Sequence, residues 1–339
     1  MGGPGRGVTE GPPLPGPLLP RREERESTRQ HRAWMLVLVL AILAPAGVLA
    51  HDSPEHVVEL LTARMKKRGR TAELLWRRGT EHRVLDQLAA AAADLREALV
   101  LKPGYIVALA DLGRVELQQG KLTRALETLN RGIDATAEMG SRVPLLLVRA
   151  EVRRARGDFT GALADVEQAL AARPEPDPEW FLLRGQIQLR LGQPAAAATG
   201  LQQGFDLTGS AVLEADWIDA LLDAGQARAA LDRIEPQLAE SRCQSSWLLR
   251  RARARLALGE TTKARGDLQA AITEINERLS AAHPGAALLL DRGLALALLG
   301  DPQGARRDLG AAQKAGADEP ACWRLESILT ATKPRARSR

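Results

Sequence analysis

A glycine followed five residues later by an alanine recurs six times in this chain, at Gly120/Ala125, Gly157/Ala162, Gly192/Ala197, Gly225/Ala230, Gly259/Ala264 and Gly300/Ala305. Successive glycines lie 37, 35, 33, 34 and 41 residues apart. A period in this range belongs to chains whose repeats are single supersecondary units that bury their apolar faces only by stacking, so an all-α solenoid of helical hairpins is expected. Within one unit the apolar residues fall three and four apart. Val107, Leu109, Leu112 and Val115 mark a first helix, and Leu122, Ala125, Leu126 and Leu129 a second. That spacing puts one buried stripe on each helix. Between them stands Gln119-Gly120-Lys121, where glycine can take the left-handed conformation that stops a helix. Ala125 is small enough for the two helices to approach closely.

The register resembles the tetratricopeptide repeat family, which carries a small residue in the first helix, a glycine at the turn, alanine and a large residue in the second helix, another small residue and a closing proline. The third unit gives Ala150, Gly157, Phe159, Ala162, Val166, Ala169 and Pro174. The first gives Gly79, Ala91, Leu95, Ala98 and Pro103, with Asp86 in place of the turn glycine. The sixth gives Ala252, Gly259, Ala264, Leu268 and Ala271, and the seventh Gly293, Gly300, Ala305, Leu309 and Ala312. Two units depart from the pattern. The fourth has Gly204 where alanine is usual, and the fifth has Trp217-Ile218 where a small residue is expected. The resemblance implies a right-handed α-α superhelix of about seven hairpins over residues 72–317. Its exposed ends need caps. Ser53-Pro54-Glu55 reads as the start of an N-terminal capping helix within residues 51–71, with Ser53 the N-cap and Pro54 the first helical residue. Asp318-Glu319-Pro320 opens a C-terminal capping helix within 318–331.

Residues 33–50 (AWMLVLVLAILAPAGVLA) carry no charge, with Arg29 and Arg32 before them and Asp52 and Glu55 after. A basic flank, an apolar run and a small-residue end at Val48-Leu49-Ala50 describe a secretory signal cleaved before His51. An uncleaved anchor is the alternative, because the run reaches the lower limit for spanning a bilayer. Either reading puts the repeats outside the cytoplasm, periplasmic or secreted, or held at the membrane if residues 33–50 are retained. Residues 1–32 are proline-, glycine- and arginine-rich, and residues 332–339 are basic; both are expected to be disordered tails.

Chemistry-bearing motifs are lacking. The chain has no HExxH, GxSxG, phosphate loop or CxxC, and its five histidines do not share metal-ligand spacing in the repeats. We therefore expect no enzyme, no metal, no cofactor and no small-molecule substrate. An N-terminal His51 with His56 nearby is the single copper-chelating arrangement the sequence offers. Cys243 and Cys322 fall about two repeats apart, too far for an intramolecular disulfide, which needs Cα atoms within about 7 Å. The net charge of +5 is too small to imply nucleic acid.

Function is then expected from the surface. The resemblance implies that first helices line a concave groove that holds a protein or peptide partner. Carried over by register, the groove receives Trp76 and Arg83 from unit one, Arg114 and Leu117 from unit two, and Glu151 and Arg154 from unit three. Leu182, Gln186 and Arg190 come from unit four, Asp219 and Asp223 from unit five, and Leu249 and Arg253 from unit six. Such a groove is basic through four units and acidic at the fifth. Arginine forks suit carboxylates. Trp76 is the expected anchor, with packing against the N-terminal cap as its alternative role. Trp76, Thr80 and Asp111 do not form the lysine and asparagine clamp with which some members hold a terminal carboxylate. Arg78, Arg149, Arg184, Arg251 and Arg292 recur just before the small residue of a first helix. Asp94, Asp165, Asp267 and Asp308 recur in second helices, so structural pairing is expected there. The reading is a non-enzymatic scaffold or assembly factor exported from the cytoplasm; the alternative is a membrane-anchored structural component of an envelope complex.

Overall fold

The computed structural model describes residues 53–281, 285–317 and 319–331. The tails, the apolar run 33–50 and His51 lie outside them. The chain divides into two compact units, residues 1–60 and 61–339. Among the described residues every regular element is a helix, sixteen in all, and none is long and apolar enough to cross a membrane. Helix α1 (Pro54–Arg68) begins as its residues dictate: the Ser53 hydroxyl accepts from the His56 amide at 3.4 Å, satisfying a first-turn N–H that has no partner in the helix.

Seven hairpins follow: α2 (Ala72–Val84) with α3 (Leu88–Leu101), α4 (Ile106–Gln118) with α5 (Leu122–Asp134), α6 (Met139–Ala155) with α7 (Phe159–Ala171), α8 (Pro178–Arg190) with α9 (Pro194–Thr208), α10 (Val212–Asp223) with α11 (Ala227–Glu240), α12 (Ser245–Ala257) with α13 (Thr261–Ala281), and α14 (Ala286–Leu299) with α15 (Pro302–Lys314). Helix α16 (Glu319–Ala331) closes the series. The six turn glycines of the repeat have φ between +71° and +89°, and Asp86 does their work in the first hairpin at φ +56°. Aspartate is among the few side chains that enter this region readily.

In units one, two and four the small residue of the first helix faces the large residue sixteen positions on, Gly79 meeting Leu95, Gly113 Leu129 and Gly185 Leu201. A Cβ at Gly113 would lie 2.8 Å from Leu129 Cδ2, and one at Gly185 3.0 Å from Leu201 Cδ1. The two departures from the pattern have local causes. A Cβ on Gly204 would sit 2.5 Å from Phe181 Cγ, so Gly204 makes room for the ring of Phe181. In unit five, Ile218 at the small position is itself fully buried, and α10 and α11 are the most loosely apposed of the pairs.

Arginine staples hold the stack. Arg78, Arg149, Arg251 and Arg292 each donate two hydrogen bonds to the carboxylate sixteen residues on: Asp94 at 2.7 and 2.7 Å, Asp165 at 2.9 and 2.7 Å, Asp267 at 3.2 and 2.8 Å, and Asp308 at 2.8 and 2.7 Å. The remaining nitrogen reaches back to the preceding helix, to Thr62, Asn130, Glu235 and Asn276 respectively. Each arginine thus joins three helices, and the expected inter-repeat role is seen. The aspartates are buried, Asp165 completely, so these are not surface pairs of small effect. Arg153 and Arg255 add a second guanidinium to Asp165 and Asp267. Unit five swaps the partners: Trp217 stands at the arginine position, Arg233 sixteen residues on covers its ring at 3.5 Å, and Glu214 pairs with Arg233.

Consecutive helices pack on one another throughout, and first helices also touch the first helices of neighbouring pairs, as in α2–α4, α4–α6, α8–α10, α10–α12 and α12–α14. Such contacts run along first helices alone, so these form the inner wall of the 61–339 unit.

Candidate functional site

The inner wall presents the residue six positions before each turn: Thr80, Arg114, Glu151, Gln186, Asp219, Arg253 and Leu294. The row carries two arginines and two carboxylates, with neutral residues at its ends and in unit four. The structure brings the expected site residues together in two clusters rather than in one open basic groove.

The first cluster spans units one to four. Trp76 Nε1 donates to Asp111 Oδ2 at 2.6 Å, and its ring meets Tyr105 edge-on at 5.8 Å. Trp76 therefore fills the seam between α2 and α4, committed to a carboxylate. Asp111, buried, also accepts from Thr80 and from Arg114 at 2.9 Å. Glu151 lies beyond; burial raises its pKa, against the pull of Arg114, Arg154 and, more weakly, Arg83. Arg154 donates to Gln186 in the next unit at 3.1 Å. Arg83 is half-buried, and its Nε is enclosed without a hydrogen-bond partner. Arg114 and Arg154 thus act most strongly on the desolvated Glu151 carboxyl, with Glu179 opposing them and Arg83 weaker still.

The second cluster spans units five to seven and is the larger surprise. Asp219 pairs with Arg250 at 3.0 Å, with Arg253 and with Arg324 at 2.8 Å; Asp223 pairs with Arg253 at 2.6 Å and Arg324 at 3.0 Å. Burial would raise the Asp219 pKa, but Arg250, Arg324 and Arg253 hold it well below the usual carboxylate range. Arg253 is desolvated enough to fall below its ordinary value despite Asp219. Asp291 and Asp216 face the same cluster; burial lifts Asp291 to about 6 and raises Asp216 as well. A small cavity of about 90 Å³ lies among Asp219, Arg250, Arg253, Asp291 and Arg324.

Several expectations need correction. Asp219, Asp223 and Arg253 do reach the inner wall but are neutralised by one another and by arginines of α12 and α16, so unit five offers no open acidic face. Leu249 is buried in the core, while Leu117 and Leu182 pack against core clusters; apolar side chains at the edge of the inner face turn into the helix–helix seam, where burial is favourable. Arg190 stacks over Phe159 at 4.7 Å and Trp323 at 5.4 Å. Arg250 was missed although its place in α12 was readable. Trp323 and Arg324 were missed for a reason: no turn glycine follows α16, so no register assigns its inner face. Cys243 and Cys322 are not joined; the first is exposed and the second buried. Among the described residues no group of three or more His, Cys, Asp or Glu side chains could hold a metal ion.

Comparisons with known proteins agree with this architecture. Residues 85–143 and 147–205 each match a family model for the tetratricopeptide repeat. A search of curated protein sequences finds no match. Among solved structures, a tetratricopeptide repeat protein from Parabacteroides merdae ATCC 43184 superposes with a TM-score of 0.57 at 19% identity, covering 76% of this chain and 98% of that one. The APC/C hetero-tetramer Cut9–Hcn1 gives 0.50 at 15% identity over 82% of this chain and 53% of that one. At such identities the likeness is one of fold. Two segments match the repeat and the seven hairpins are built on its spacing of small, turn and large residues, so the chain contains tetratricopeptide repeats and folds as a tetratricopeptide-type solenoid.

Proposed function

We propose that the protein is a non-enzymatic interaction module, exported from the cytoplasm, whose inner wall holds a protein or peptide partner along units one to four. It acts as a scaffold or assembly factor. The observation that carries this reading is the placement of Arg114 and Arg154, and more distantly Arg83, along the inner wall in the electrostatic neighbourhood of the desolvated Glu151. An acceptor-rich segment, carboxylate side chains above all, completes that set, because a charge-assisted bond is strongest where water is excluded. A chain of similar fold occurs in the APC/C hetero-tetramer Cut9–Hcn1.

Affinity capture from the native envelope, with crosslinking, tests it. Crosslinks should run from one partner to α2, α4, α6 and α8. Combined reversal (Arg83→Glu, Arg114→Glu, Arg154→Glu) should abolish capture while circular dichroism stays helical; capture at parental level would end the groove reading.

The charge-free run 33–50 supports a second reading, an anchored component of an envelope complex. The N-terminus of the mature chain decides between them: His51 at the start supports release, and retention of residues 33–50 supports anchoring.

A further inference from the structure

Helix α16 sends two side chains across the inner wall. Arg324 bridges Asp219 and Asp223 of α10, and Trp323 lies under the Arg190 guanidinium of α8. The second of these ion pairs joins residues 101 positions apart. Neither contact belongs to the ordinary seating of α16 on the last hairpin, which runs through Leu325 and Leu329 against Ala305. A cleft of about 370 Å³ separates Trp323, Arg324 and Ile328 from Leu189 and Pro194 of the opposite wall.

We propose that α16 is a displaceable latch: Trp323 and Arg324 occupy, in cis, the inner-wall site at which a partner segment carrying an arginine beside an aromatic residue docks. The proposal rests on the inner wall being the partner-binding face. Three observations argue for it. First, the acidic wall survives release, because Asp219 keeps Arg250 and Arg253, and Asp223 keeps Arg253. Opening therefore leaves neither Asp219 nor Asp223 unpaired, which is the usual large penalty for breaking such a site. Second, α16 is seated on its own hairpin by a small apolar cluster, and a helix of this length has little stability alone. Third, the chemistry of the receptor is explicit. Two carboxylates flank one guanidinium, and Arg190 offers its planar face to one aromatic ring beside it, which suits an arginine next to Trp, Tyr or Phe.

Cys322, on the same helix and 1% exposed, reports on release. The full chain with Cys243→Ser keeps one thiol, whose maleimide labelling rate measures opening. Arg324→Ala and Asp223→Asn are each expected to raise that rate about tenfold or more, and Arg324→Lys to stay near the parent. A synthetic peptide of residues 319–331 with Cys322→Ser, added in excess, should speed labelling of the parent protein, whereas the same peptide with Arg324→Ala should not. The peptide arm uses a fully folded protein, so it decides even if a variant unfolds. Rates unmoved by the peptide, or moved equally by both peptides, overturn the latch. Loss of the groove reading is distinguishable, since the reversals at Arg83, Arg114 and Arg154 lie outside α16 and its receptor.

Discussion

Arg184 shows what a single missing carboxylate does. It holds the staple position of unit four, but residue 200, where its aspartate would stand, is glycine, and the guanidinium settles for the Gly200 carbonyl at 3.0 Å and Gln203. Its Nε is enclosed without a partner, and burial lowers its pKa. A Cβ at Gly200 would meet only the movable end of Arg184, Nη2 at 2.7 Å. Gly200→Asp should therefore stabilise the protein by about 1–2 kcal/mol, through a buried ion pair and a better helix residue. Thermal melts followed by circular dichroism check this, and a lowered midpoint would mean that Arg184 cannot shift. Asp291 gives the pH counterpart. Its folded pKa of about 6 lies above the ordinary 3.8, so the folded state binds the proton more tightly than the unfolded one. Stability from this group is present below about pH 4, falls as pH rises, and is gone above about 6. Asp291→Asn, freed of that loss, should gain on the parent between pH 4 and 8 in urea titrations. An advantage that stays flat or shrinks with pH would contradict the sign.

At the scale of the element, the staples make unequal demands. Fully buried Asp165 accepts from Arg149 and pairs with Arg153, whereas Asp308 pairs, among the described residues, with Arg292 alone, which is 28% exposed at its side chain. Asp165→Ala should cost about 3–5 kcal/mol, because two guanidiniums lose their counter-charge. Asp308→Ala should cost visibly less. Equal losses in denaturant titrations would show that the second arginine adds nothing. Gly204→Ala belongs here too. Its methyl must displace Phe181 or Leu213, both packed in the α8–α11 core, so a loss of about 1–3 kcal/mol is expected. Phe181→Leu in the same chain should recover part of it. These elements were legible before the structure. Turn glycines, the Ser53 cap and the arginine–aspartate register all follow from local chemistry at fixed spacing. Gly204 and Ile218 stood out as departures, yet their reasons needed neighbours.

For the 61–339 unit, nearest-neighbour packing predicts weak cooperativity. A lesion such as Asp165→Ala should split unfolding, so that tryptophan fluorescence and circular dichroism no longer coincide; a single shared transition would show tighter coupling between hairpins. The contacts of Trp323 with Arg190 and of Arg324 with Asp219 and Asp223 depart from nearest-neighbour logic. The number of hairpins, their boundaries, the left-handed turns and the inter-repeat arginines were set by the sequence itself, because each depends on residues within about sixteen positions of one another. Which wall charges are open was decided only by the tertiary structure. The stacking of hairpins brings Arg324 to Asp219 and Asp223, and Trp76 to Asp111. Whether a charge meets a counter-charge depends on distances between units, which no periodicity records.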